Sequence, residues 1–161
     1  CSSDLGSSTI SFSSIPSTYR HLQLRMMLKS TYTSASTSFA YPIRFNSDSG
    51  SNYAVHYLRG NGSTAISTGA GSQTAASFGD YPTNTTSNIF AVSILDILDY
   101  SSTSKNKTFR FLDGYDANGS GQVNLRSALW LNTSAINSIV LTEGYANFAQ
   151  YSSFALYGLK G

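Results

Sequence analysis

The stretch DGYDANGSGQ, Asp113 to Gln122, places oxygen-bearing side chains at alternate positions: Asp116, Asn118 and Ser120, followed by Gly121. That spacing is the first half of a calcium-binding loop, in which alternate oxygens surround a hard cation and glycine makes the bend. The same loop needs a bidentate carboxylate at its twelfth position, and counting from Asp116 puts Ser127 there. Its flanks also read as strands, whereas that loop type joins helices. With a single negative charge, such a site would hold a divalent ion weakly. The other reading is a β-hairpin connection in which Asn118 and Gly119 supply the positive φ angles of a tight turn. NSDSG, Asn46 to Gly50, has the same make-up and invites the same reading. Two such loops brought together could share an ion, so calcium is the one cofactor the sequence leaves open.

Asp96 and Asp99 invite comparison with the paired carboxylates of a glycosidase. On a strand, their odd separation sends them to opposite faces, which argues against joint action. His21 and His56 stand apart from any nucleophile motif and from any H-x-x-H or H-x-H spacing, and the single cysteine, Cys1, has no partner for an internal disulfide. Neither a G-x-S-x-G elbow, a P-loop nor a dinucleotide fingerprint occurs. The sequence therefore predicts no catalytic residues and no enzyme. A binding reading exists for aromatic residues, and Phe78, Tyr81 and Trp130 are its candidates. Exposed rings stack on sugar faces, and loops rich in serine and asparagine supply hydrogen bonds. The competing reading is that such rings fill the edges of a sandwich with their polar tips in water.

Composition says what must position these residues. Hydrophobic residues make up 40% of the 161, enough for a core, and charged residues only 11%, well under the usual ~25%. Tyrosine and phenylalanine sit among β-branched or alternating partners, which favours strands. In HLQLRMMLK, Leu22, Leu24, Met26 and Leu28 alternate with Gln23, Arg25, Met27 and Lys29, a period of two. Pro16 ends a short strand around Ile10 and Phe12. IFAVSILDILDY, from Ile89, reads as a central strand apolar on both faces. In QVNLRSALWLN, Val123, Leu125, Ser127, Leu129 and Leu131 fall on one side and Asn124, Arg126, Ala128 and Trp130 on the other. Between Asn61 and Asn88 small polar residues and glycine dominate, which predicts a long surface loop at about 61–88. Eight or nine short strands with turns between them, and no long helix, predict an all-β fold. We read it as one antiparallel β-sandwich domain over 1–161, jelly-roll-like.

The net charge is +2, with ten Lys and Arg spread from Arg20 to Lys160. No cluster tracks a phosphate backbone, so no nucleic-acid partner is expected. No apolar run approaches the ~18–20 residues of a membrane span, so no membrane partner is expected either. FSSIPSTYRHLQLRM, IRFNSDSGSNYAVHYLRGNG, VSILDILDYSSTSKNKTFRFLDGYDANGSGQ, LWLNTSAINSIVLT and FAQYSSFALYGLKG follow one another over nearly the whole chain. As a series they resemble small virion structural proteins of tailed bacteriophages, especially marine and freshwater ones. The resemblance implies a β-sandwich module on the surface of the virion, as a capsid decoration or cement protein, a fibre component or a tail appendage. It implies docking on other virion proteins and on itself as a homo-oligomer, a trimer by analogy, and no catalytic residues. The alternative is an adhesion module of a tail fibre that recognises host surface glycans through the long loop, with Phe78 and Tyr81 on it.

Overall fold

The computed structural model describes residues 6–33, 41–79, 81–83 and 87–161. Among them run eleven strands: β1 (Thr9–Phe12), β2 (His21–Leu28), β3 (Tyr41–Phe45), β4 (Tyr53–Gly60), β5 (Ala65–Gln73), β6 (Ala76–Phe78), β7 (Ala91–Ile97), β8 (Lys107–Asp116), β9 (Gly121–Trp130), β10 (Ile139–Thr142) and β11 (Ser153–Leu159). None of the described residues is helical. A small sheet has four strands in the order β1-β10-β3-β6, and a large one has seven in the order β11-β2-β7-β8-β9-β4-β5. Every pairing is antiparallel. The two sheets pack face to face as a β-sandwich.

Two-residue periodicity locates most of these elements. On β2, Leu22, Leu24, Met26 and Leu28 are buried while Gln23, Arg25 and Met27 face outward. The inner faces then meet through rings. Phe45 of β3 stands edge-on to Phe109 of β8 at 4.9 Å and to Trp130 of β9 at 5.6 Å, and Phe78 of β6 stacks on Phe111 of β8 at 5.3 Å. Each ring so buried contributes about 1.5–3 kcal/mol.

The expected loop at 61–88 is corrected by two strands inside it. β5 pairs with β4 from Ala65 to Gln73, and β6 pairs with β3 from Ala76 to Phe78. All nine residues of β5 are exposed, so no apolar alternation marks it in the sequence. Backbone hydrogen bonds to β4 hold it, and these make no demand on side-chain type. Asp80 and residues 84–86 of that stretch lie outside the described residues.

The candidate ligand-binding rings are corrected as well. β6 turns Phe78 inward, and the chain that follows seats Tyr81 against Tyr41 at 4.9 Å and Phe78 at 5.7 Å. Trp130 ends β9 on its inner face. All three are buried, with none more than 1% exposed, so none presents a face to a glycan. Trp130 is fixed by NSDSG. Asn46 and Ser47 take positive φ angles of 52° and 57°, and the Asp48 amide donates to the Phe45 carbonyl at 2.9 Å. That turn aims the Asp48 carboxylate at the Trp130 indole, which donates to Oδ2 at 2.7 Å, while Oδ1 accepts the Gly50 amide at 2.8 Å. The bond from Trp130 is the main reason the Asp48 carboxyl is held below the usual carboxylate range.

Candidate functional site

Strands β4, β7, β8 and β9 turn apolar side chains to the outside of the large sheet. The register lays Ile94, Leu112, Leu125 and Leu58 in one row across the four strands, and Met27, Val92, Gly114, Val123 and Gly60 in the next row. Leu58, Leu112 and Val123 are 53%, 53% and 58% exposed. An exposed leucine alone is ordinary; two adjoining rows with exposed aliphatic side chains form one contiguous apolar patch.

The inner face beneath those rows is polar. Asn124, Asp113 and Ser93 sit side by side on β9, β8 and β7 and are buried, as is Arg126 one row along. Asn124 Nδ2 donates to Asp113 Oδ2 at 2.7 Å, Arg126 Nε lies 3.8 Å from Asp113 Oδ1, and the Arg126 guanidinium rests over the Tyr57 ring at 4.7 Å. Complete burial pushes the Tyr81 hydroxyl well above its ordinary range. Half of β9 is therefore inside out: Val123 and Leu125 face water while Asn124 and Arg126 face the core. The sequence displayed this alternation but not which side was inward.

The other sequence candidates occupy two further places. Beyond Ile97 the chain leaves the strand, and Asp99 adopts a φ of 48°. That curl brings Asp99 round so that it and Asp96 line one groove of about 430 Å³, together with Lys105, Arg110 and Ser127. The expectation of opposite faces is thus corrected: the strand ends between the two carboxylates. Both are engaged by cations. Arg20 Nε donates to Asp99 Oδ1 at 2.6 Å, Lys105 Nζ binds Asp99 Oδ2, and Arg110 lies 3.5 Å from Asp96. The hydrogen bond from Lys105, then that from Arg20, holds the Asp99 carboxyl below its ordinary range. Paired-carboxylate hydrolysis needs one acid raised enough to donate a proton and a second carboxylate that stays ionised; the lowered Asp99 fits only the second part. His21 Nδ1 accepts the Asp99 amide at 3.0 Å, which places the neutral ring's proton on Nε2. His56 lies on the outer face of β4, opposite Ser127 and Gly69.

Asp116, Asn118 and Ser120 share the β8–β9 hairpin. Asn118 and Gly119 have φ angles of 60° and 91°, the mirror-image turn that suits the strand twist. Asp116 Oδ1 accepts the Gly119 amide at 3.0 Å and the Ser120 hydroxyl donates to the Ala117 carbonyl at 3.2 Å. Asp116 Oδ1 and the Ser120 hydroxyl are thus engaged in shaping the turn, and Asp116 is the only carboxylate among the three residues.

No protein-family profile matches this chain, and no curated protein matches it in sequence. The rows on the outer face were not legible in the sequence because alternation puts Val123 and Leu125 on one side of a strand without saying which side faces in. The available signal was the aromatic residues Phe109, Phe111 and Trp130, which share a side with Asp113, Asn124 and Arg126 and draw that side inward.

Proposed function

We propose that this chain is a structural protein of a tailed-bacteriophage virion: a non-catalytic surface module, serving as capsid decoration or cement or as a fibre component, that docks on neighbouring virion proteins. The observation that carries the docking is the doubled apolar row on the outside of the large sheet. A rigid sandwich that exposes such a face gains free energy by covering it, at about 25 cal/mol per Å². The sequence resemblance supplies the virion context, and the low-charge, hydroxyl-rich remainder of the surface agrees with a module on the outside of a particle.

The test is the particle itself. Virions released by cells that carry the gene are purified, digested and analysed by mass spectrometry, and an antibody to the chain is mapped on them by electron microscopy. Stoichiometric peptides and a regular label on the head or tail are expected. Recovery of the chain only outside the particle would sink the reading.

A second reading, adhesion to host glycans, is favoured by one feature. Tyr145 and Tyr151, on the connection between β10 and β11, are 64% and 71% exposed, and Tyr32 lies 5.9 Å from Tyr145. Rings held this way suit sugar stacking, whereas Phe78 and Tyr81 do not. A glycan array probed with the wild-type chain and with Tyr145→Ala and Tyr151→Ala separates the readings; binding that both variants abolish supports adhesion.

A further inference from the structure

We infer that the outer face of the large sheet packs against the same face of a second copy of this chain. The inference rests on the docking reading above and names the partner. Three observations select a like surface.

The first is shape. Across β7, β8, β9 and β4 the row Val92, Gly114, Val123, Gly60 alternates large and small. Within this row a copy turned through 180° sets Val92 and Val123 against the notches at Gly60 and Gly114, and the adjoining row Ile94, Leu112, Leu125, Leu58 meets its own copy as an aliphatic ridge. A twofold contact needs a surface that complements itself in this way. The notch at Gly114 is built in: a Cβ there would lie 2.6 Å from the Gln122 carbonyl oxygen.

The second is charge. The charged groups bordering the rows are already engaged within the chain. Asp96 accepts Gln23 Nε2 at 2.9 Å and pairs with Arg110 at 3.5 Å. Arg25 Nε donates to Gln23 Oε1 at 2.8 Å, and its guanidinium lies 5.5 Å from the centre of the Tyr157 ring. The border therefore shows no block of one sign that would repel its own copy, and no one-sign field that a strongly acidic or basic partner would read.

The third is area. The exposed parts of Met27, Leu58, Val92, Leu112, Val123 and Leu125 amount to roughly 500 Å², at the upper end of the largest patch on an ordinary monomer. With Thr108, Arg110, Ser127 and His56 around them, the face approaches the ~800 Å² that each partner buries in a standard interface. Two sheets meeting there would lie ~10 Å apart with their strands about 30° from parallel, as packed sheets generally do.

The experiment is sedimentation equilibrium of the isolated full chain from micromolar concentration upward, beside Leu112→Lys, Leu125→Lys and the milder Leu125→Thr. Leu131→Lys serves as the control, since Leu131 is exposed just beyond β9. Circular dichroism and melting temperature verify the fold of each variant. The expected result is a dimer whose dissociation constant rises at least ~30-fold in both lysine variants, less in Leu125→Thr, and not in Leu131→Lys. A wild-type chain that sediments as one copy overturns the inference, and so does an association that the Leu112 and Leu125 variants leave intact. Incorporation of Leu112→Lys into particles keeps the two ideas apart. A monomeric chain whose Leu112→Lys variant is shut out of particles overturns the second copy and leaves the docking reading standing. A monomeric chain whose variant incorporates normally overturns both.

Discussion

Replacing Asp48 removes the acceptor of the Trp130 indole, a 2.7 Å bond to a fully buried ring system. A hydrogen bond to a charged group is worth about 1.5–3 kcal/mol, and the Gly50 turn bond adds about 0.5–1, so Asp48→Ala should cost about 2–4 kcal/mol. For a domain of this size, each kcal/mol lowers the melting temperature by about 2–4 °C, so a drop of roughly 5–15 °C is expected. Asp48→Asn keeps an oxygen in place without the charge and should cost about 1 kcal/mol. The pH dependence has a definite sign. The folded carboxyl titrates below its ordinary value of 3.8, so the unfolded chain takes up this proton first. The stabilisation is complete above that ordinary value and is lost as pH falls through the folded pKa. Asp48→Asn lacks that loss, so its stability deficit against wild type should shrink between pH 6 and pH 3. Urea unfolding followed by circular dichroism, in a double-mutant cycle with Trp130→Phe, measures the coupling directly. A coupling near zero, or a deficit in Asp48→Asn that stays constant with pH, would refute the assignment.

Truncating Phe78 or Tyr81 to Ala should cost about 3–5 kcal/mol in urea unfolding, as expected for rings in a packed core; an unchanged midpoint would return them to the surface. Replacing both Asn118 and Gly119 by Ala puts a new β-carbon at the positive φ of 119 and removes from 118 the asparagine that tolerates such a φ, and should cost about 1–2 kcal/mol in urea unfolding. The wild-type melting temperature should be the same with and without chelator, and a fall on chelation would restore the hairpin as a calcium site. Asp113→Leu leaves the Arg126 guanidinium in the core beside a lost counter-charge and should cost about 3–5 kcal/mol by thermal or urea unfolding. A loss below 1 kcal/mol would show that Asp113 does not hold it.

The all-β sandwich was legible because strands with one buried face write a two-residue period into the sequence, as Leu22 to Leu28 do. The Asn118-Gly119 turn was legible because few residues accept its backbone angles. β5 was not, because Ala65 to Gln73 are exposed and small, and nothing in their side chains distinguishes a paired edge from a loop. Phe78 and Tyr81 were misplaced for a related reason. Isolated rings in a polar stretch look like exposed contacts when they are the anchors that pin the stretch to the core. The outer face of the large sheet was hidden most deeply. Alternation tells which residues share a side of a strand and is silent on which side faces in.

That ambiguity bears on how the large sheet is selected. A strand with Val123 and Leu125 on one side and Asn124 and Arg126 on the other would, alone in water, bury the aliphatic side. Ala128 and Trp130 lie on the polar side of β9, and Phe109 and Phe111 lie with Asp113 on β8. Since one register governs the whole strand, burying Trp130, Phe109 and Phe111 carries Arg126, Asn124 and Asp113 inward with them. Turning β9 over would place Leu125 inside and expose Trp130, forfeiting the ring packing between Phe45 and Trp130 and the indole bond to Asp48. The aromatic end of each strand thus sets its orientation, and the other end accommodates the result through the Asp113–Asn124 hydrogen bond and the seat of Arg126 on Tyr57. Leu58, Leu112, Val123 and Leu125 are thereby left on the outer face, and the proposed contact with a second copy would cover them.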